Sequence, residues 1–416
     1  MKKRKRHFKI RYMVFSFLGT ALLAALVFTH FGGFGTGDAS NVEEFAQYVQ
    51  PVENLSIPED KRIIALGEAT HGNAEFQQLK LDVFRQMVEQ YDVRAFALEG
   101  DYGGCEQVNQ YIHGGEGTAQ EAAAAIGFAI YRTDEMAELI SYMRAYNESA
   151  SEGEKLRFYG FDMQRISYTF QALMKDCTTL NIDTASLQKL VEGDQLNGAY
   201  DFSAQTEILT QVKNELENNG ASRQTIHYVT MLLQYCELQS IPAQDAAGAL
   251  RDKFMAENVQ WILQQEQQNS HDRIFISGHN SHVAKWGSYD SMGKILSKDA
   301  ENGYYVIGTD FYKTRCNMPT GSPQKRSNQV FYSHDPLAKA AKLAGFDICW
   351  LDFANVPESS ELGRQMMDYT YMGTLGEYYS PMMRLLPPSY RIFQPPAVLY
   401  DSMIFVTEAT PTNPQM

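Results

Sequence analysis

Short apolar runs alternate with longer stretches of helical periodicity along most of the chain. Seven runs have the length and composition of buried strands and are predicted as strands, at residues 62–67, 93–98, 156–161, 273–277, 304–308, 347–352 and 402–406. Between the first two, apolar residues recur at helical spacing and predict a helix over 74–91. Strands separated by helices predict an α/β fold with a mostly parallel central sheet flanked by helices.

One long stretch breaks this alternation. Residues 165–270 contain no convincing strand pattern and are predicted as a large helical insertion, a subdomain over the cleft. Glycine-rich residues 32–38 predict a flexible linker. The main folded domain is therefore expected over residues 38–410, and the polar end, 411–416, predicts a frayed tail.

The N-terminus combines a basic and an apolar segment. Seven of the first eleven residues are lysine or arginine, whereas residues 12–31 contain no acid, lysine or arginine. About 20 such residues suffice to span a bilayer, and the basic flank would stay cytoplasmic. Residues 1–37 are therefore expected to form a basic start, a transmembrane anchor and a linker. The chain would be a single-pass protein of the cell membrane with an extracytoplasmic body; a cleaved signal peptide is the alternative.

Charge and cysteine content exclude some classes of protein. Formal net charge is -14 although the N-terminus is basic, and an acidic body argues against nucleic acid as a partner. The 5 cysteines are scattered and have no zinc-like spacing, so no disulfide framework is predicted. Neither a Gly-x-Ser-x-Gly elbow nor a phosphate-binding P-loop motif occurs, which disfavours a serine acyl-enzyme and a nucleotide site.

The first predicted strand leads into an acid and a histidine framed by glycines. Glu68 and His71 are three residues apart, so both can face one cleft. In open α/β sheets ligands bind outside the carboxyl ends of the strands. A neutral imidazole can take a proton from water and return it to a leaving group. The alternative is a turn in which His71 only caps a backbone group, but the flanking glycines let a ligand approach closely.

Later strands end in similar candidates. Glu99 and Asp162 close the second and third strands, and His279 and His282 follow the fourth. Solvated or arginine-paired acids are the alternative interpretation. Two histidines three apart also suit a metal, and spacing alone does not separate a metal cluster from a metal-free proton-transfer site. Arg251 opens an amphipathic helix and suits carboxylates or a developing oxyanion, although nothing local distinguishes it from a surface arginine.

Five motifs occur in order between about residue 62 and residue 310. They are Gly67-Glu68-Ala69-Thr70-His71-Gly72, Ala97-Leu98-Glu99, Phe158-Tyr159-Gly160-Phe161-Asp162-Met163-Gln164, Arg251-Asp252 with Met255-Ala256-Glu257-Asn258, and Gly278-His279-Asn280-Ser281-His282. Together they resemble the erythromycin esterase family, and residues 401–406 resemble its closing strand. The resemblance implies an α/β fold with a helical portion over the cleft. It also implies ester hydrolysis, in the best-known members of a macrolactone.

The resemblance also implies roles for individual residues. His71 matches the general base that activates water without a metal or other cofactor, and the catalytic residues expected around it are Glu68, Glu99, Arg251 and His279. The residues expected to bind substrate are His282, Lys80, Asp162 and Asn280. Lys80 stands where the family commonly has an arginine, and lysine lacks the planar guanidinium fork.

The sequence therefore predicts a membrane-anchored, metal-independent hydrolase of a small-molecule ester or lactone. The family's antibiotic-hydrolysing members act inside the cell, so an enzyme displayed outside would meet different esters, including ones linked to the envelope. Two alternatives stay open: a metal-dependent hydrolase that uses the same histidines and acids, and a non-catalytic cell-envelope binding protein.

Overall fold

The computed structural model describes residues 18–23, 37–184, 187, 202–241, 244–299, 303–322, 325–384 and 386–415. In this part of the chain the central sheet has eight strands: β1 (Ile63–Glu68), β2 (Ala95–Asp101), β3 (Arg157–Asp162), β4 (Ile274–His279), β5 (Tyr304–Ser322), β6 (Lys325–Tyr332), β7 (Ile348–Asp352) and β10 (Ser402–Ala409). A separate pair is formed by β8 (Thr370–Gly373) and β9 (Arg391–Gln394).

The strand order across the sheet is β3-β2-β4-β1-β5-β10-β7, with β6 paired to β5. The strands from β3 to β10 run parallel, while β7 and β6 are antiparallel to their neighbours. The prediction of a mostly parallel sheet is thus confirmed. All six residues of β1 are buried, and the four apolar ones at 63–66 alternate between two apolar cores, one on each face of the sheet. Burial on both faces explains why this strand is apolar almost throughout.

Helices cover both faces. They are α1 (Val42–Tyr48), α2 (Ala74–Tyr91), α3 (Tyr102–Ile112), α4 (Ala119–Ala125), α5 (Asp134–Ser149), α6 (Ser167–Thr179), α7 (Phe202–Asn218), α8 (Arg223–Gln239), α9 (Gln244–Gln268), α10 (Asn280–Val283), α11 (Met292–Lys298), α12 (Pro336–Leu343), α13 (Glu361–Met367) and α14 (Pro396–Leu399). Within the described part of residues 165–270, helices α6 to α9 form the predicted helical insertion and no strand occurs. Helix α9 packs on β3 and β4, which places its first turns at the carboxyl edge of the sheet.

The predicted transmembrane segment at 12–31 lies outside the described residues except for 18–23, which are helical. No helix among the described residues combines the length and apolar character needed to cross a membrane. The predicted linker at 32–38 likewise falls outside them up to residue 36.

The C-terminal tail differs from the prediction. Residues 411–415 are not frayed: the Thr412 N–H donates to the Gly72 carbonyl at 3.0 Å, and the Gln415 N–H donates to the Arg132 carbonyl at 2.7 Å. Thr412 is only 3% exposed. These partners lie more than 280 residues earlier in the chain, so local composition carried no sign of them. The tail braces the loop that holds His71; Met416 lies outside the described residues.

Candidate active site

The loop after β1 holds a histidine against a buried carboxylate. Glu68 Oε1 lies 2.7 Å from Nδ1 of His71, and Nζ of Lys80 donates to Glu68 Oε2 at 2.6 Å. Since Glu68 is an acceptor when ionised, Nδ1 of His71 carries the proton in this bond. The other ring nitrogen of His71, Nε2, bonds to none of the described residues and is left for a ligand or water.

Electrostatics makes this pair a stronger acid and a stronger base than its isolated members. Burial opposes ionisation of Glu68, but the charges of Lys80 and His71 outweigh it and lower the pKa of Glu68 to about 2. Burial also opposes protonation of His71. The Glu68 carboxylate, with smaller contributions from Glu99 and Glu377, nevertheless raises the pKa of His71 above its ordinary value. The imidazole of His71 is therefore more basic than a free one.

Gln77 completes this arrangement and was not among the residues predicted from the sequence. Its Nε2 donates to Glu68 Oε2 at 3.2 Å and its Oε1 accepts from Nζ of Lys80 at 3.0 Å. Gln77 and Lys80 are three apart on α2, both on its buried face. Polar residues on the apolar face of a predicted amphipathic helix were the signal that could have identified Gln77.

A second cluster joins three elements around Arg251. Its Nη2 donates to Glu99 Oε1 at 2.8 Å and to Asp162 Oδ2 at 2.7 Å, while its Nε donates to Asp162 Oδ1 at 3.2 Å. Burial opposes the charge on Glu99, but His282 and Arg251 outweigh it and hold the pKa of Glu99 well below its usual range. The cluster is thus an ion network that ties α9 to the carboxyl ends of β2 and β3.

His279 presents a neutral donor beside His71. The two ring centroids are 4.9 Å apart, and the backbone N–H of His279 donates to Glu99 Oε2 at 2.7 Å. Nδ1 of His279 lies 2.7 Å from the Ser281 Oγ and accepts from the Ser281 N–H at 3.3 Å. With the Ser281 hydroxyl as donor to Nδ1, the ring proton lies on Nε2. That Nε2 is buried with no partner among the described residues. Burial, together with the charge on His71, lowers the pKa of His279 to about 3.

His282 lies between Asp252 of α9 and Glu99 of β2. Its Nδ1 is 2.7 Å from Asp252 Oδ1 and its Nε2 is 3.4 Å from Glu99 Oε1. Burial opposes the charge on the ring, but Glu99 and Asp252 outweigh it and raise the pKa of His282. Asp252 was not predicted as a site residue; it is fully buried and also accepts the Tyr289 hydroxyl at 2.8 Å. Its place directly after Arg251 in the chain was the available signal.

Asn280 and Lys80 lie beside the cluster with their polar groups already bonded. The Asn280 amide donates to the Thr309 carbonyl at 2.7 Å and accepts from the Thr309 N–H at 3.3 Å. A Cβ at Gly67 would come within 2.2 Å of Asn280 Oδ1, so this close approach requires glycine. Substrate binding by these residues stays a prediction; their contacts join Asn280 to β5 and Lys80 of α2 to β1.

The arrangement gives no metal-binding geometry among the described residues. In that part of the chain no group of three or more histidines, cysteines and acids is placed to hold a metal ion. The acids are instead paired with cations: Glu68 with Lys80, and Glu99 and Asp162 with Arg251. The site thus joins a histidine–carboxylate pair to a neutral imidazole donor, two groups that can transfer a proton and donate a hydrogen bond.

Comparison with known sequences identifies the family. The erythromycin esterase family profile matches residues 88–409, which include Glu99, Arg251 and His279 and begin after His71. Erythromycin esterase type II of Escherichia coli is 25% identical over 297 residues, covering 61% of this chain and 70% of that protein. The putative hydrolase YbfO of Bacillus subtilis strain 168 is 26% identical over 301 residues, covering 61% of this chain and 65% of that protein. The chain belongs to the erythromycin esterase family and is a hydrolase of that family.

Solved structures agree on the fold. A succinoglycan biosynthesis protein superposes with a TM-score of 0.75 at 16% identity, covering 90% of this chain and 98% of that one. A Bacillus cereus protein gives 0.72 at 17% identity, covering 90% and 100%. A mutant of the erythromycin esterase EreC in its open conformation gives 0.53 at 16% identity, covering 84% and 91%. At such identities these likenesses show the α/β fold alone.

Proposed function

We propose that the chain hydrolyses a carboxylic ester or lactone by direct attack of water, with His71 as the general base. The observation that carries the proposal is the Glu68–His71 pair, joined at 2.7 Å, whose imidazole lies 4.9 Å from that of His279 between ring centroids. Nε2 of each ring has no hydrogen-bond partner among the described residues. One ring can accept a proton while the other donates a hydrogen bond. Those are the two groups that attack on a carbonyl requires.

In the first step, Nε2 of His71 accepts a proton from a water as the water oxygen bonds to the carbonyl carbon. Glu68, already ionised, stabilises the resulting imidazolium through Nδ1. The carbonyl π electrons move to oxygen and form a tetrahedral oxyanion. His279 Nε2–H is the group that donates to this oxyanion, because Nε and Nη2 of Arg251 are engaged with Asp162 and Glu99 and its Nη1 lies 3.2 Å from Nε2 of His282.

In the second step, the tetrahedral intermediate collapses and the bond to the leaving oxygen breaks. The imidazolium of His71 returns its proton to that oxygen, so an alcohol leaves and the acid remains. No covalent enzyme intermediate forms in this sequence. Arg251 acts as a positioning residue: it holds Glu99, and Glu99 in turn holds the backbone of His279.

The proposal is tested by a hydrolysis screen on the purified full chain with acyl esters, lactones and macrolides. Macrolides belong in the panel because a similar protein is named erythromycin esterase type II. We expect turnover of at least one ester and no loss of rate after chelation with EDTA, since the acids of the site are paired with Lys80 and Arg251. Loss of rate on chelation that added zinc restores would instead establish the metal-dependent alternative. Specific binding of an ester without turnover would establish a binding protein.

We also propose that the body is held outside the cell membrane by residues 12–31. The support is the basic start and the uncharged apolar run that follows it. We expect the full chain to sediment with membranes and to resist extraction by carbonate, and a protease added to intact spheroplasts to cleave the body. The same protein with residues 12–31 deleted should stay in the supernatant. Full chain in the soluble fraction would contradict the proposal.

A further inference from the structure

A polar cavity of about 430 Å³ lies beyond the Arg251 cluster at the carboxyl ends of β2 and β3. Asp101, the last residue of β2, forms part of its wall, and the chain that follows β3 forms another part. The side chains used in the argument below are Asp101, Phe128, Arg132, Gln164, Arg165 and Tyr168.

Two guanidinium groups line this cavity without a carboxylate partner among the described residues. Arg165 lies over the ring of Phe128, with Cζ 4.9 Å from the ring centroid, and forms no salt bridge within that part of the chain. The Nε of Arg132 is buried there and has no hydrogen-bond partner among the described residues. Arg251, at the centre of the site, is by contrast paired with two acids. Two unpaired guanidinium groups on one cavity favour an anionic ligand.

The carboxyl group of Asp101 does not cancel this charge. Asp101 is 2% exposed, and one oxygen, Oδ2, accepts the Gly104 N–H at 2.8 Å. Its other oxygen, Oδ1, is buried with no partner among the described residues. Burial raises the pKa of Asp101 to about 7, and the nearby charge of Arg165 opposes this rise. Near neutral pH a part of Asp101 is therefore protonated, and in that form its carboxyl can donate to an anion rather than repel it.

The cavity is joined to the proposed reaction centre through one shared wall. Nε2 of Gln164 donates to Asp162 Oδ2 at 2.8 Å, and Asp162 pairs with Arg251. Along β2, Asp101 is two residues beyond Glu99, a rise of roughly 7 Å. Leu98 of β2 pairs with Ser277 of β4, so Asp101 and His279 lie at the ends of adjacent strands. A substrate chain that runs from the reaction centre across the end of β2 therefore leads toward the cavity.

From these contacts we propose that the cavity is an oxyanion-binding subsite for a carboxylate or phosphate carried by the substrate, held by Arg132 and Arg165. The substrate class is then an acidic ester, for example the half-ester of a dicarboxylic acid or an ester of a phosphorylated alcohol. This inference rests on the proposed ester hydrolysis, because it assigns the substrate of the same site. Tyr168, exposed at the rim of the cavity, is available to pack on the part of the substrate that links its ester to its anionic group.

Kinetics on two matched esters test the proposal. The para-nitrophenyl half-ester of glutaric acid and the para-nitrophenyl ester of pentanoic acid have acyl chains of equal length and differ in the terminal carboxylate. We expect a higher kcat/KM for the half-ester, which Arg165→Gln lowers about tenfold or more, mainly through KM. The pentanoate should change less than about twofold. Arg165 is exposed, so its substitution leaves the core intact. Equal effects of Arg165→Gln on both esters would overturn the proposal while leaving ester hydrolysis in place.

Direct binding separates this proposal from the hydrolysis itself. Glutarate and inorganic phosphate, each added to the wild-type full chain, should raise the melting temperature, and Arg165→Gln should remove most of that rise. The relative effects of the two anions tell a carboxylate from a phosphate site. The matched control is Arg223→Gln, which changes an exposed arginine on α8. Should neither anion stabilise the wild type, or should both stabilise Arg165→Gln equally, the subsite is refuted whether or not any ester is hydrolysed.

Discussion

His71→Ala is expected to lower ester turnover by a factor of about 10² to 10⁴, the usual contribution of a positioned general base. The variant should still fold, because the side chain of His71, 11% exposed, belongs to neither apolar core and its backbone stays in the braced loop. It should also bind substrate almost as well as the wild type, since the lost interaction belongs to the transition state. Circular dichroism, melting temperature and kcat on one preparation give the answer.

The matched control is His113→Ala, which removes an exposed histidine at the end of α3. That variant should keep its full rate. If His71 only caps a turn, its replacement would instead reduce stability and leave normal activity in the folded fraction. A destabilised His71→Ala with wild-type kcat would therefore end the general-base proposal.

The pH dependence of kcat/KM tests the same mechanism, and the mechanism predicts its direction. The base must be neutral to accept a proton, so kcat/KM falls as the pH drops through the pKa of His71. Because Glu68 raises that pKa, the acid limb should lie above the ordinary histidine value of 6.5. In Glu68→Gln the limb should move to lower pH. An acid limb at the same pH in both proteins would show that Glu68 does not raise the pKa of His71.

The strand ends could be predicted from the sequence because their chemistry is local. Each of the first four strands is an apolar run that stops at an ionisable residue, and parallel strands bring their carboxyl ends to one edge. Glu68, Glu99, Asp162 and His279 were found in that way and do meet. The long hairpin of β5 and β6 was missed beyond residue 308 because the outer part of β5 is only partly buried and its sequence is polar.

Residues placed by long-range packing could not be found from local pattern. Arg251 has the local features of a surface arginine, yet it bonds to Glu99, 152 residues away in the chain. Asp252 and Gln77 orient other side chains rather than meeting a ligand, so no strand end or glycine turn marks them. The composition of the C-terminal tail predicts disorder, but the Thr412 N–H donates a hydrogen bond to the loop of His71. Each of these depends on which elements the fold brings together.

Arg251→Met is expected to destabilise the protein by about 3–5 kcal/mol at neutral pH and to abolish turnover. Removing one partner of a buried ion network leaves the other charges without compensation. Here those charges are the carboxylates of Glu99 and Asp162, both buried and both bonded to the same nitrogen. Glu99 would also lose its fixed position and release the backbone of His279. The activity loss should therefore exceed what partial unfolding explains.

The sign of the pH dependence distinguishes this cause from lost packing. In the wild type the pKa of Glu99 is depressed, so its charged form stabilises the fold above the unfolded value of about 4.5 and this contribution fades as the pH falls below it. In Arg251→Met, burial is no longer offset by the arginine, and the pKa of Glu99 rises. The stability difference between the two proteins should then be largest at neutral pH and shrink below about pH 4.5.

Urea unfolding at several pH values measures this difference, with two companion variants. Arg223→Met changes an exposed arginine and should leave stability within about 0.5 kcal/mol of the wild type. Arg251→Lys keeps the charge but cannot bond both acids through a planar fork, so it should recover much of the stability and little of the activity. A constant loss of stability across the pH range would assign the role of Arg251 to packing. Full activity in Arg251→Lys would show that its charge alone, without the bidentate contact to Asp162, organises the site.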